Sequence, residues 1–344
     1  MTHRHSHWME KLQVQLTTVG AAVAAYVVIW PLIRPTDPTG PVVFFALGTA
    51  GKVGLLAGAA CVLAAACCLT TVSVRPQGTL AAALLGLGGV SLHSGPMRQV
   101  LWLREQDLAA LYWQMALEVL VLAAVAVAVA VVVRAVRKVV VGLAGTWGWR
   151  DLLGSLSETQ QRDYLRSLGE SDEKRPGQGL LGGGFARLIV EHLGLVESRR
   201  AGRRTPDSEI AVRYGLCFLA CLLISVMVVS LLARSNDRGQ VLFALAAGCF
   251  LASVIAYQLF PTRWPVAAWA APVLTAVSYY VLAAVGQAGK GGPGAWTDIQ
   301  PCYQALPIDW LTAGIGGSLA GFWVSLRVHE AKFLEVTQEQ EQGA

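Results

Sequence analysis

The sequence predicts an all-α, polytopic integral membrane protein with about eight transmembrane helices. Its 344 residues are 54% hydrophobic and only 14% charged, whereas soluble domains carry about 25% charged residues. So much apolar sequence would overfill a soluble core, and an apolar run of roughly 17–25 residues is long enough to cross a bilayer. Two further observations, the distribution of Lys and Arg and a series of repeated motifs, predict how the helices are arranged.

Eight apolar runs are candidate membrane spans. They lie at about 14–33, 53–73, 79–94, 108–133, 211–233, 240–260, 265–286 and 304–326. The first is predicted to be retained, because too little apolar sequence precedes the Ala-x-Ala pattern at 22–24 for a cleavable signal. The third is short and rich in glycine, so it either spans a locally thinned bilayer or enters and returns as a re-entrant loop.

Basic residues predict that both termini are cytoplasmic. With eight spans and the amino terminus inside, 20 of the 27 Lys and Arg residues lie on the cytoplasmic side, in agreement with the positive-inside rule. Most belong to segment 134–210, predicted to be a basic cytoplasmic linker with short amphipathic helices. It separates a membrane half at 1–133 from a second half at 211–330, and residues 331–344 form a cytoplasmic tail. A re-entrant third run would leave seven spans and opposed termini.

The two halves carry similar motifs in the same order. The matched pairs are Arg34 with Arg234, Val74 with Thr262, Gly95-Pro96 with Gly292-Pro293, Tyr112 with Tyr303 and Glu118 with Asp309. The offsets of the first four pairs are 200, 188, 197 and 191 residues, so they vary only by loop-sized amounts. We therefore predict a tandem four-plus-four duplication. Its halves would be parallel repeats, because a four-span unit begins and ends on the same side of the membrane.

Glu118 is the first candidate functional residue. It falls near the middle of the fourth span, where an ionised carboxylate costs about 2.5–3.5 kcal/mol on insertion scales. It should therefore be protonated, paired or in contact with water. Gln114, one turn earlier, and Lys52, at the mouth of the second span, are candidates to tune it or to supply a counter-charge. A purely structural hydrogen bond is the alternative.

Asp309 is the predicted symmetry mate of Glu118. Pro307 and Trp310 indicate that its helix begins near the outer interface, where an Asp in the first turn is ordinary helix chemistry. Two interpretations are open: an interfacial cap, or a second carboxylate that binds a proton or cation.

Other signals favour packing or lipid contact over chemistry. Gly317 and Gly321 have the spacing of close helix–helix packing, and six of the seven cysteines lie in apolar runs, where a thiol behaves as a small hydrophobe. A basic stretch of the linker could hold anionic lipid headgroups, although a solvated loop is the simpler interpretation. Its arginines are Arg199, Arg200, Arg203 and Arg204. No cofactor or metal site is predicted, and no separate basic domain indicates nucleic-acid binding.

Two functions are open. The first is a membrane transporter or channel in which Glu118 and Asp309 bind a proton or cation between the repeated halves. The second is a non-catalytic structural or assembly subunit that recruits a protein partner through its cytoplasmic loop, or forms a homo-oligomer. Membrane lipids are partners in both. No nucleophile is paired with a base on neighbouring helices, so catalytic residues are not predicted.

Overall fold

Every regular element that the structure describes is helical. A computed structural model describes residues 88–146, 207–262, 265–290, 292–326 and 328, with the shorter pieces 16, 19–20, 22–23, 26–27, 30–33 and 40–43. The first seven helices are α1 Trp30–Ile33, α2 Gly88–His93, α3 Arg98–Leu103, α4 Leu108–Thr146, α5 Asp207–Leu232, α6 Arg238–Leu259 and α7 Val266–Gln287. Helix α8 comprises residues 307–326: an α-helical turn, Pro307–Asp309, a π-helical turn, Trp310–Gly314, and α-helical residues 315–326. Two 3₁₀ turns, Ala295–Asp298 and Pro301–Tyr303, precede it.

Within the described residues, four helices are long and apolar enough to cross a membrane. They are Leu108–Ala128 within α4, Ala211–Leu232 within α5, Arg238–Leu259 and Val266–Gln287. The predicted spans at 108–133, 211–233, 240–260 and 265–286 therefore correspond to helices of suitable length, which indicates a multi-pass integral membrane protein. The predicted spans at 14–33 and 79–94 are described only in part, and 53–73 lies outside the described residues.

The surface of α5 supports a lipid environment. Leu219, Leu223, Met227 and Leu231 recur every four residues along one face, and each is 48–60% exposed. Residues at this spacing form one stripe along a helix. Water would be a poor solvent for such a stripe, whereas lipid tails would cover it without cost.

Helix α4 continues past the predicted end of its span. Its 39 residues correspond to about 58 Å at 1.5 Å per residue, nearly twice the thickness of the hydrocarbon core. The first part of segment 134–210 is thus helical through Thr146. The rest of the proposed linker, up to residue 206, lies outside the described residues.

Three of the connections between the described helices meet at one end of the bundle, which we call the loop end, while residues 260–265 join α6 and α7 at the other end. The loop end comprises residues 94–107, 233–237 and 288–306 together with the helix ends that they join. Contacts tie these loops to one another: the Gly294 N–H donates to a Glu105 carboxylate oxygen at 3.2 Å, and the guanidinium of Arg98 lies 5.8 Å from the Trp296 ring centroid. Asp309 is near this end, because α8 begins there.

Glycines bring α8 against α6. A Cβ atom added to Gly317 would lie 2.2 Å from the carbonyl oxygen of Ala246, and one added to Gly321 would lie 2.3 Å from that of Phe250. The two backbones are therefore nearly in contact, which confirms the packing predicted from the glycine spacing. The hydroxyls of Ser253 and Ser318, both buried, hydrogen-bond across the same interface.

Candidate functional site

Asp309 lies in the first turn of α8 and is 1% exposed. Pro307 starts this turn, as its fixed φ favours. A carboxylate oxygen of Asp309 accepts the backbone N–H of Leu306 at 3.0 Å. The side chain thus forms the cap that the sequence allowed, but the carboxylate is buried and does not face bulk solvent.

Arg238 neutralises this carboxylate. It is the first residue of α6, and its Nη2 donates to Asp309 Oδ1 at 2.9 Å while Nη1 donates to Oδ2 at 3.4 Å. The Asp309 side chain is 2% exposed and that of Arg238 is 18% exposed. Water at the loop end can therefore reach the cation more readily than the anion.

Residues 91–95 complete the cluster. The Ser91 hydroxyl donates to Asp309 Oδ1 at 2.6 Å, and Arg238 donates to the carbonyl of Gly95 at 3.1 Å and to that of Ser91. Asp309 thus accepts hydrogen bonds from three different residues, and the ion pair links α2, α6 and α8. Removing one partner of such a buried pair typically costs about 3–5 kcal/mol, because the other charge is left uncompensated.

Glu118 is 2% exposed, ten residues after the start of α4 at Leu108. At 1.5 Å per residue it lies about 15 Å below the beginning of the helix, near the middle of a bilayer. The buried carboxylate within a span is therefore present. Gln114 is exposed on the same helix. Lys52 and the four arginines at 199–204 lie outside the described residues.

Tyr280 of α7 lies within electrostatic range of both acids. Its hydroxyl donates to the carbonyl of Ala305 at 2.6 Å, next to the Leu306 N–H that Asp309 accepts. Both Asp309 and Glu118 interact electrostatically with this hydroxyl. Helices α4 and α7 also pack through Tyr112 and Tyr280, whose ring centroids are 6.2 Å apart. The two carboxylates thus belong to one buried region.

The matched tyrosines also meet. The hydroxyl of Tyr112 donates to the backbone carbonyl of Tyr303 at 3.4 Å, and the Tyr303 ring lies edge-on to that of Tyr279, with centroids 5.6 Å apart. The adjacent Cys302, placed by the sequence in an external loop, is only 5% exposed. Burial raises the pKa of its thiol, because the thiolate loses its hydration.

Three residues of this region were not predicted: Arg238, Ser91 and Tyr280. A buried carboxylate is normally paired or hydrogen-bonded, so the sequence did indicate that donors should lie near Asp309. The rule does not choose among the basic residues predicted at that side of the membrane, which include Arg34, Arg98, Arg234 and Arg238. The fold selects Arg238.

The fold and site define a helical membrane protein with two buried acids, one of them in an ion pair. Among the residues that the structure describes, no group of three or more His, Cys, Asp or Glu side chains could hold a metal ion. Comparison of the sequence with protein-family models, with curated proteins and with solved structures finds no match. The functional argument therefore depends on the site itself.

Proposed function

We propose that the protein is a membrane transporter or channel that binds a proton or a small cation at Glu118. The observation that carries this proposal is a carboxylate, 2% exposed, ten residues into a membrane-spanning helix. Such acids are expensive to place in a bilayer, and they commonly mark ion pathways and proton relays. A carboxylate there binds a proton or cation because either one removes the cost of the buried charge.

We also propose that two four-span halves surround this site as parallel repeats, giving eight spans. One contact between the first and third predicted spans supports the duplication: the Trp30 ring stacks on that of His93, with centroids 4.6 Å apart. In the second half, the Ser230 and Tyr279 hydroxyls hydrogen-bond at 2.7 Å. The offsets between these partners are 200 and 186 residues, close to the 200 and 188 of the matched motifs.

The contacts of the two acids are related by a similar offset in sequence. Asp309 accepts the hydroxyl of Ser91, and Glu118 interacts electrostatically with Tyr280. Asp309 follows Glu118 by 191 residues and Tyr280 follows Ser91 by 189. A two-fold axis along the membrane normal exchanges the halves, so each acid would face the third span of the opposite half.

One position breaks the proposed symmetry and divides the roles of the acids. Arg238 pairs with Asp309, but the residue 200 positions earlier is Pro38, which has no charge. We assign proton or cation exchange to Glu118, because the Asp309 carboxylate is already held by an arginine. Binding of a cation at Asp309 stays a prediction, and the cation would have to displace Arg238. Tuning of Glu118 by Gln114 or Lys52 also stays a prediction.

Reconstitution in liposomes tests the proposal. Fluxes of H⁺, Na⁺ and K⁺ are followed with a pH-sensitive dye and with ion-selective dyes under an imposed membrane potential. We expect Glu118→Gln to reduce flux at least about tenfold, since removal of an essential charged group commonly costs that much, and Glu118→Asp to retain part of it. Asp107→Asn is the matched control, because Asp107 is an exposed acid just before the same helix. Unchanged flux in Glu118→Gln contradicts the proposal.

The proposed orientation places both termini in the cytoplasm and the loop end outside the cell. This assignment follows the distribution of basic residues. Thr297 is exposed at the loop end, so a cysteine introduced there should react in intact cells with a membrane-impermeant maleimide. Reaction only after the membrane is opened would reverse the orientation.

The second candidate is a structural or assembly subunit. The observation that favours it is the ion pair: Asp309 is fully engaged by fixed partners, as in a static anchor. In this case segment 134–210 recruits a protein partner, with its four arginines on anionic lipid headgroups. Deletion of 157–205 should then remove a co-purifying protein, and Glu118→Gln should leave its assembly intact. A chain that purifies alone with or without the segment argues against this role.

A further inference from the structure

We propose that the Arg238–Asp309 ion pair is a gate that closes the loop end above Glu118. This inference rests on the proposed function, because a gate has meaning only if Glu118 exchanges a proton or cation with water. In the conformation described here the gate is shut.

The depth of the two acids places the ion pair on the route to Glu118. Asp309 is two residues below the start of α8 and Glu118 is ten residues below the start of α4, which correspond to about 3 Å and 15 Å of helix. Both helices start at the loop end, and both acids act on the same Tyr280 hydroxyl. On this proposal, an ion that enters from the loop end toward Glu118 passes the ion pair.

The hydrogen bonds of the cluster join the parts of the chain that a gate must separate. Ser91 and Gly95 belong to the proposed first half, whereas Arg238 and Asp309 belong to the second. Four hydrogen bonds of Arg238 and Asp309 cross this boundary. Arg238 donates to the carbonyls of Ser91 and Gly95 and, at 3.5 Å, to the Ser91 hydroxyl, and that hydroxyl donates to Asp309. Alternating access commonly involves rocking of one repeat against the other. Such a motion would break this set of bonds together.

The exposure and backbone of the cluster allow it to open. The Arg238 side chain is 18% exposed, while that of its partner Asp309 is 2% exposed, so the cation is nearer to water than the anion. The π-helical turn Trp310–Gly314 directly follows Asp309. Such turns interrupt the regular α-helical hydrogen bonds and occur frequently at functional sites. The first turn of α8 can therefore move without displacing residues 315–326, which the glycines hold against α6.

Two chemical probes test the gate on the full-length protein in liposomes. A membrane-impermeant maleimide reports on Cys302, the native thiol beside Tyr303, and a water-soluble carbodiimide with an amine nucleophile reports on Glu118. Mass spectrometry of peptides locates both modifications. We expect Arg238→Gln to raise both rates about tenfold or more, because the rate of labelling follows the population of the open form.

Arg234→Gln is the matched control. Arg234 is exposed, four residues earlier at the same end, and its Nε donates to the carbonyl of Leu231 in its own helix, so its loss should change neither rate. The carbodiimide readout distinguishes a gate from a local structural role, since loosening of the loop alone would expose Cys302 but not Glu118. Arg238→Lys keeps the charge but loses the paired donors, and should give intermediate rates if Arg238→Gln does not fold.

Modification of Glu118 at the wild-type rate in folded Arg238→Gln or Arg238→Lys would overturn the gate, whatever the flux measurements show. Faster modification of Glu118 in these variants supports the gate. If flux were nevertheless unchanged in Glu118→Gln, the proposed function would fail on its own test, and the two failures are therefore distinguishable.

Discussion

Glu118 and Asp309 occupy matched positions in the sequence, but their surroundings differ. Both carboxylates are buried, and each interacts with a residue of the opposite half. Asp309 lies near the loop end with Arg238, Ser91 and the Leu306 N–H around it, whereas Glu118 lies deeper in α4. In the proposed repeat, the position that corresponds to Arg238 in the first half is Pro38. Asp309 is thus held in an ion pair, and exchange of a proton or cation is the role proposed for Glu118.

The largest predicted effect is on stability, and it should separate the two acids. Asp309→Asn should lower the free energy of unfolding by about 3 kcal/mol, at the low end of the range for buried pairs, because it leaves the partly buried Arg238 charge uncompensated. Glu118→Gln should change it by less than about 1 kcal/mol, since an amide replaces a carboxyl group of the same shape. Unfolding in mixed micelles measures both. Equal losses for the two variants would show that both acids are anchors.

A smaller loss of unfolding free energy is predicted for Ser91→Ala, which tests the contribution of this hydroxyl to the Arg238–Asp309 cluster. The Ser91 hydroxyl donates to Asp309 at 2.6 Å, and a hydrogen bond to a charged group contributes about 1.5–3 kcal/mol. The variant should lose that amount in the same unfolding experiment, and nothing further when combined with Asp309→Asn. Full additivity of the two substitutions would mean that the hydroxyl stabilises something other than this carboxylate.

The helix that carries Asp309 should be sensitive to added side-chain volume. In Gly317→Ala the new methyl group would meet the Ala246 carbonyl, so we expect a loss of about 1–3 kcal/mol from overpacking. Gly286→Ala is the control: that glycine has open space around it, and alanine there should stabilise α7 by about 0.5–1 kcal/mol. The opposite order of these two variants would contradict the packing of α8 on α6.

The smallest effect concerns pH at the loop end. Burial raises the pKa of the Cys302 thiol, so the reactive thiolate is scarcer than usual at neutral pH. Its labelling by maleimide should be slow at pH 7 and should keep rising as the pH approaches the raised pKa. A cysteine introduced at the exposed Thr297 should reach its plateau at a lower pH. The same profile for both thiols would mean that the loop end is open.

Much of the fold could be predicted because it depends on local apolar length. The runs at 211–233, 240–260 and 265–286 each became a helix with ends within a few residues of the prediction. The end of α4 was not predicted. Arg134, Arg137 and Lys138 mark the end of the apolar span, but Arg and Lys have good helix propensity, so the helix continues beyond it. Charges mark where the bilayer ends, but a helix can continue into water.

The site was predictable only in part. The burial cost of a carboxylate drew attention to Glu118 and Asp309, and their matched tyrosines linked them. Their partners could not be derived in this way, because Arg238 is 71 residues from Asp309 in the chain and Ser91 is 218 residues away. Contacts at such separations depend on how the helices pack, which hydropathy does not specify.

The proposal gives the two acids different roles, and its most direct test measures flux and unfolding on the same preparation of Glu118→Gln. The account predicts a protein that unfolds at nearly the wild-type free energy and whose ion flux has fallen at least about tenfold, while the control Asp107→Asn keeps both. A stable Glu118→Gln protein with wild-type flux would contradict the account, and Glu118 would then be a buried structural acid like its counterpart.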